Sequence, residues 1–142
     1  MQIERWTLGL AALAAIGLGT AFLTSAARAE EGQRVFELRT YTAGPGKLGA
    51  LQARFRDHTV ALFEKHGMTN VGYWVPADPP RSEDTLVYLL AHESREAAAQ
   101  SWEGFRNDPA WTAAKKASEV DGRLAVKVES VFLEPTDFSA LE

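Results

Sequence analysis

The stretch Val35-Phe-Glu-Leu-Arg-Thr-Tyr-Thr-Ala43, closed by Gly44-Pro45-Gly46, decides how the chain is read. Phe36, Leu38 and Thr40 alternate with Glu37, Arg39 and Tyr41, the two-residue period of a half-buried strand. The glycine-proline triplet cannot continue a ladder and marks a turn. With its apolar members turned under a helical layer, this strand would place Glu37, Arg39 and Tyr41 on an uncovered sheet face.

Beyond the turn, Leu48, Leu51, Phe55 and Leu62 recur at helical spacing from Lys47 to His66, with His58 completing the stripe and Gly67 as its stop. Met68 to Val75 reads as a second strand, ended by the proline-rich loop at Pro76 to Pro80, and Thr85 to His92 reads as a third. Ser94 is a helix cap for a segment running to about Asn107, with Ala98, Trp102 and Phe105 on one face. Asp108-Pro109 has the form of a cap followed by a first-turn proline, opening a short helix that carries Trp111. Gly122 breaks the chain before a fourth strand, Leu124 to Leu133. The order β-α-β-β-α-β is two split βαβ units, an α+β ferredoxin-like domain. Both helices then lie on one sheet face, and the bare face calls for a second subunit or a ligand.

Before this domain, Arg5, an uncharged Leu- and Ala-rich run from Thr7 to Thr24, and Ser25-Ala-Ala-Arg-Ala29 form the pattern of an export signal cut after Ala29. Residues 1–29 are thus expected to be a signal peptide, the domain occupying 33–142 and working in the periplasm or outside the cell. The alternative is an uncleaved membrane anchor, since the apolar run approaches the ~17 to 25 residues of a span. Cleavage takes away Glu4, Arg5 and Arg28, leaving thirteen basic against eighteen acidic residues. An acidic domain of this kind has no electrostatic reason to bind nucleic acid. The absence of cysteine excludes disulfides, thiolate metal sites and cysteine nucleophiles, so an exported domain must rest on packing or oligomerisation.

The segments Phe36 to Tyr41, Pro45-Gly-Lys47, Phe55 to His58, Lys65-His-Gly67, Val71 to Trp74, Val87-Tyr-Leu89 and Trp102-Glu-Gly-Phe-Arg-Asn-Asp-Pro-Ala-Trp111, in that order, resemble the NIPSNAP family. The resemblance implies a dimeric α/β barrel, in which two sheets meet through their bare faces and enclose a cavity. It implies no assigned reaction.

Five residues are candidates for a pocket: Arg39, Tyr41, His58, His66 and Trp74. A guanidinium and a phenol on one strand suit a carboxylate or an enolate-like oxygen. The competing structural reading pairs Arg39 with Glu37 or Glu129. His58 on an apolar stripe and His66 at a helix end both have structural readings as well, and the aromatics at helical spacing read first as core. The histidines lack the spacing of a metal site, and no cofactor is expected. Haem, which needs one axial histidine, is the remaining cofactor reading through relatives in the wider barrel superfamily. No serine elbow, phosphate loop or carboxylate pair is present. The expected function is a homodimer binding a small molecule in the barrel. The alternative is a cofactor-independent monooxygenase or isomerase acting on a small aromatic or polyketide-like compound.

Overall fold

A computed structural model describes residues 34–141, and the segment read above as a leader lies outside the described residues. Strand β1 (Val35–Ala43) is followed by α1 (Leu48–Arg54), a π-helical turn (Phe55–Thr59), α2 (Val60–Lys65), β2 (Thr69–Trp74), β3 (Thr85–His92), α3 (Arg95–Asn107), α4 (Pro109–Ser118) and β4 (Ala125–Leu133). The sheet is antiparallel in the order β2-β3-β1-β4, with the first and third strands central. This is the ferredoxin-like arrangement, the subunit fold of the dimeric α/β barrels.

Local chemistry sets the boundaries. Gly67, with φ of +81°, ends α2 in a conformation that a side chain would resist. The Ser94 hydroxyl accepts from the Ala97 N–H at 3.0 Å, and Asp108 accepts from the Ala110 N–H at 2.8 Å with Pro109 behind it.

The first helix departs from its expected form. Five residues of π-helix widen the turn, so the inward position after Phe55 is Thr59, not His58. Thr59 is buried and its hydroxyl donates to the Arg54 carbonyl at 3.2 Å, while His58 is exposed to solvent. The stripe is therefore Leu48, Leu51, Phe55, Thr59, Leu62 and Phe63.

The strand faces are also reversed. Arg39 pairs across with Tyr88 and Tyr41 with Leu86, and residues opposite one another share a face. Tyr88 and Leu86 belong to the core with Phe55, Phe63 and Trp102, so Glu37, Arg39 and Tyr41 point under the helices. The alternation was read correctly and assigned to the wrong side. The physical reason is Trp102, whose indole N–H donates to Glu37 and turns a buried carboxylate into a satisfied one.

The uncovered face accordingly carries Phe36, Leu38, Val87, Leu89, Val131 and Leu133, with the Lys127–Glu129 pair at one end. Chain from Glu134 to Leu141 lies against Phe36, Leu89 and Leu133, while Val131 in the same face remains 54% exposed. Trp74, one of the pocket candidates, is 53% exposed, at the edge of this face. Among the described residues no helix is long and apolar enough to cross a membrane.

Candidate functional site

A polar cluster is built into the covered face around Glu37. One carboxylate oxygen accepts from Arg39 and from Ser130, both at 2.6 Å. The other accepts from the Trp102 indole at 2.7 Å and lies 3.0 Å from His92 Nε2. Burial opposes the charge on Glu37, but the hydrogen bonds from His92, Ser130, Trp102 and Arg39 outweigh it and hold its pKa at about 2. The Arg39 guanidinium also stacks on the Trp102 ring, 4.1 Å from its centroid. The structural pairing of Arg39 with Glu37 is thus the arrangement adopted, within one strand and not between two.

A second cluster joins the far ends of α2 and α3. Asp108 accepts from Lys65 and meets His66 Nε2, each at 2.7 Å. These two partners, with the Ala110 N–H, hold the Asp108 carboxyl far below the usual carboxylate range. His66 lies so close to Gly104 that a Cβ there would fall 2.7 Å from its Nδ1. The partner of His66 is therefore an N-cap carboxylate instead of the last helix carbonyls. Trp111 stacks on Phe105 at 4.6 Å and supports Arg54, a buried cation that reaches Glu119 at 3.0 Å. The segment Trp102 to Trp111 therefore touches β1, α1 and the end of α2 at once.

The cleft lies elsewhere, where the π-turn faces the end of β2. Phe55, Val60, Tyr73, Trp74 and Leu86 wall a space of about 250 Å³, with Gln52 and Arg56 at its polar side. The extra residue of the π-turn positions Arg56 at this opening, and such turns recur at functional sites. Burial, then the charges of Glu64 and Tyr41, pushes the Tyr73 phenol above its usual range, and its hydroxyl donates to the Asn70 side chain.

Of the five residues singled out from sequence, Arg39 and Tyr41 are neighbours beneath the helices, with Arg39 5.7 Å above the Tyr41 ring. His58 stands on the solvent side of the π-turn, and His66 sits with Asp108. Trp74 alone borders the cleft. Sequence reasoning missed Phe55 and Arg56 as cleft residues and Tyr73 as its aromatic wall. The Phe55-Arg-Asp-His58 segment was a visible signal, but a π-turn has no distinct periodicity in so short a run.

A four-stranded antiparallel sheet under one helical layer, with an apolar outer face, defines the class as a ferredoxin-like α+β fold, the fold that dimeric α/β barrels are built from. The NIPSNAP family model matches residues 36–140, and the chain belongs to that family. Its fold is shared with a NIPSNAP family protein from Agrobacterium tumefaciens at 24% identity, covering 78% of this chain and all of that one, with a TM-score of 0.67. A NIPSNAP-like domain protein from Burkholderia xenovorans is 20% identical over 75% of this chain and 89% of its own, with a TM-score of 0.65. More distantly, SnoaB, a cofactor-independent oxygenase from Streptomyces nogalater, has 13% identity over 78% of this chain and 100% of its own, with a TM-score of 0.53. Comparison with curated proteins found no match.

Proposed function

We propose that this NIPSNAP domain is exported, with residues 1–29 removed as a signal, and acts as a homodimer that binds a small, flat, largely apolar molecule. The observation that carries the binding reading is the aromatic-walled cleft at the π-turn. Its volume of about 250 Å³ lies just below the ~300 to 1,000 Å³ of ordinary ligand sites, which suits one or two fused rings. Phe55, Tyr73 and Trp74 offer ring faces and edges, and Arg56 and Gln52 offer polar contacts at the opening. The exposed face with Leu38, Leu89 and Val131 supports dimerisation, since water contact with so apolar a sheet surface is costly.

Binding is favoured over oxygenase or isomerase chemistry by the cleft's lining. Proton abstraction asks for a base, yet the ionisable side chains there are Arg56 and Tyr73, whose phenol is held protonated by burial. The likeness to SnoaB concerns the fold and supplies no such group. Among the described residues, no histidine lines the cleft to act as an axial ligand for haem.

Native mass spectrometry of the protein isolated from the envelope tests the assembly and the export together. The expected species is a dimer of chains beginning at Glu30, and a monomer at micromolar concentration would remove the dimer reading. Equilibrium dialysis with naphthalene tests the cleft, with Val60→Trp as a variant that fills it. Equal uptake by both proteins would move the binding site elsewhere.

A further inference from the structure

Resting on the cleft reading above, a second set of groups lies behind its inner wall. Tyr88 is fully buried, and its hydroxyl makes no well-formed hydrogen bond, the Tyr41 hydroxyl being the one polar group close enough to interact with it; the Arg39 Nε–H is also buried without a partner. The two residues are cross-strand partners on the covered face. A buried donor without a well-placed acceptor is costly, so cross-strand neighbours that each keep one leave hydrogen-bonding capacity unused.

What separates them from the cleft is aromatic. Phe55 lines the cleft and has its ring 5.1 Å from Tyr88 and 5.6 Å from Tyr41. Tyr73, the other wall, stacks on Tyr88 at 5.3 Å. Phe55 is also the first residue of the π-turn, where the helical ladder already departs from its regular pattern. A rotation of this one ring would carry the cleft through to Tyr88, the cross-strand partner of Arg39.

We propose that Tyr88 and Arg39 form the inner subsite of the cleft, reached by displacement of Phe55, and that it takes a neutral carbonyl oxygen carried on an aromatic ligand. The charge balance selects the class. Glu37 already neutralises Arg39 at 2.6 Å, so a carboxylate arriving there would add an uncompensated charge to a buried site. A ketone or quinone oxygen accepts from both donors without that cost. Burial holds the Tyr88 phenol well above its usual range, so it remains a donor.

The test compares naphthalene, 2-acetylnaphthalene and 2-naphthoate by equilibrium dialysis against the wild-type protein and Tyr88→Phe, which keeps the ring and removes the hydroxyl. The ketone should bind the wild type about tenfold more tightly than naphthalene, an advantage that falls to near unity in Tyr88→Phe. Naphthalene should bind both proteins equally, and 2-naphthoate should gain nothing over it. A ketone advantage that survives in Tyr88→Phe, or a preference for naphthoate over the ketone, overturns the subsite while leaving the cleft reading intact. Failure of all three to bind overturns both. The infrared carbonyl stretch of the bound ketone, read in the wild type alone, should move to lower frequency than in hexane. A band at the hexane position overturns the proposal without reference to any variant.

Discussion

Replacing Glu37 by Gln should be among the most damaging conservative changes available to this domain. The best fit for the amide keeps its oxygen on Arg39 and Ser130, which hold one carboxylate oxygen at 2.6 Å. The amide nitrogen must then face the Trp102 indole N–H, a donor against a donor, where Glu37 accepts at 2.7 Å. His92 can accept from the amide only by shifting its hydrogen to Nδ1, which is buried and has no partner, so this change leaves a second unsatisfied donor. One orphaned indole costs about 1 to 3 kcal/mol, and exchanging a charged for a neutral acceptor at Arg39 costs roughly 1 to 2 more. The protonation equilibrium leads to the same range, since moving the Glu37 pKa from 4.5 to about 2 corresponds to roughly 3 kcal/mol. A loss of about 3 kcal/mol is a large part of the stability of a domain this size. Because the folded pKa is depressed, this contribution is complete above about pH 4.5 and is lost as pH falls toward 2. Urea unfolding followed by far-ultraviolet circular dichroism at pH 7 should show a lower midpoint at unchanged slope. Repeated at lower pH, wild type and Glu37→Gln should converge. A difference below about 1 kcal/mol at pH 7, with parallel acid profiles, would refute the account of the cluster.

Gly104→Ala tests a competition of signs: helix propensity favours Ala by about 1 kcal/mol, but its Cβ would lie 2.7 Å from His66 Nδ1. The ring must leave Asp108, so thermal denaturation should show a lower midpoint, and a rise would mean that His66 yields freely. Val131→Asp places a charge on the apolar outer face opposite Leu38. Sedimentation velocity should report monomer with an unchanged circular dichroism spectrum; an intact dimer would place the interface elsewhere. His58→Gln should change stability by less than about 0.5 kcal/mol, because the side chain is exposed on the π-turn. A larger loss by urea unfolding would return His58 to the core.

Much of the fold was legible because its signals are local. The β1 alternation, the Ser94 and Asp108 caps and the Gly67 stop each depend on a few neighbouring residues, and each appears where it was read. What was not legible depends on partners far along the chain. Whether Glu37 or Phe36 faces inward is decided by Trp102, sixty-five residues away, whose indole makes the carboxylate tolerable in the core. Alternation gives two faces without naming them, and polarity chose the wrong one. The Trp102 to Trp111 segment was visible as a motif, yet its purpose appears only when Trp102 meets Glu37, Gly104 admits His66, and Asp108 gathers Lys65. His58 was misplaced for a smaller reason, one inserted residue in a helical turn.

Once β1 is turned inward, its polar residues divide along the strand. Toward its start, Glu37 accepts from both sides of the carboxylate, and a saturated acceptor of this kind rigidifies the surrounding packing. Two residues later, Arg39 keeps an unused Nε–H, and its cross-strand partner Tyr88 has a buried hydroxyl with no well-formed hydrogen bond. Trp102 of α3 covers both Glu37 and Arg39, and Phe55 of the π-turn lies over Tyr88. A regular helix would have placed no irregularity there. The π-turn that excludes His58 from the core therefore also sets Phe55 between an aromatic cleft and the buried Tyr88 hydroxyl. This coincidence makes the Phe55 end of the covered face, and not the charged cluster around Glu37, the place where a ligand is best sought.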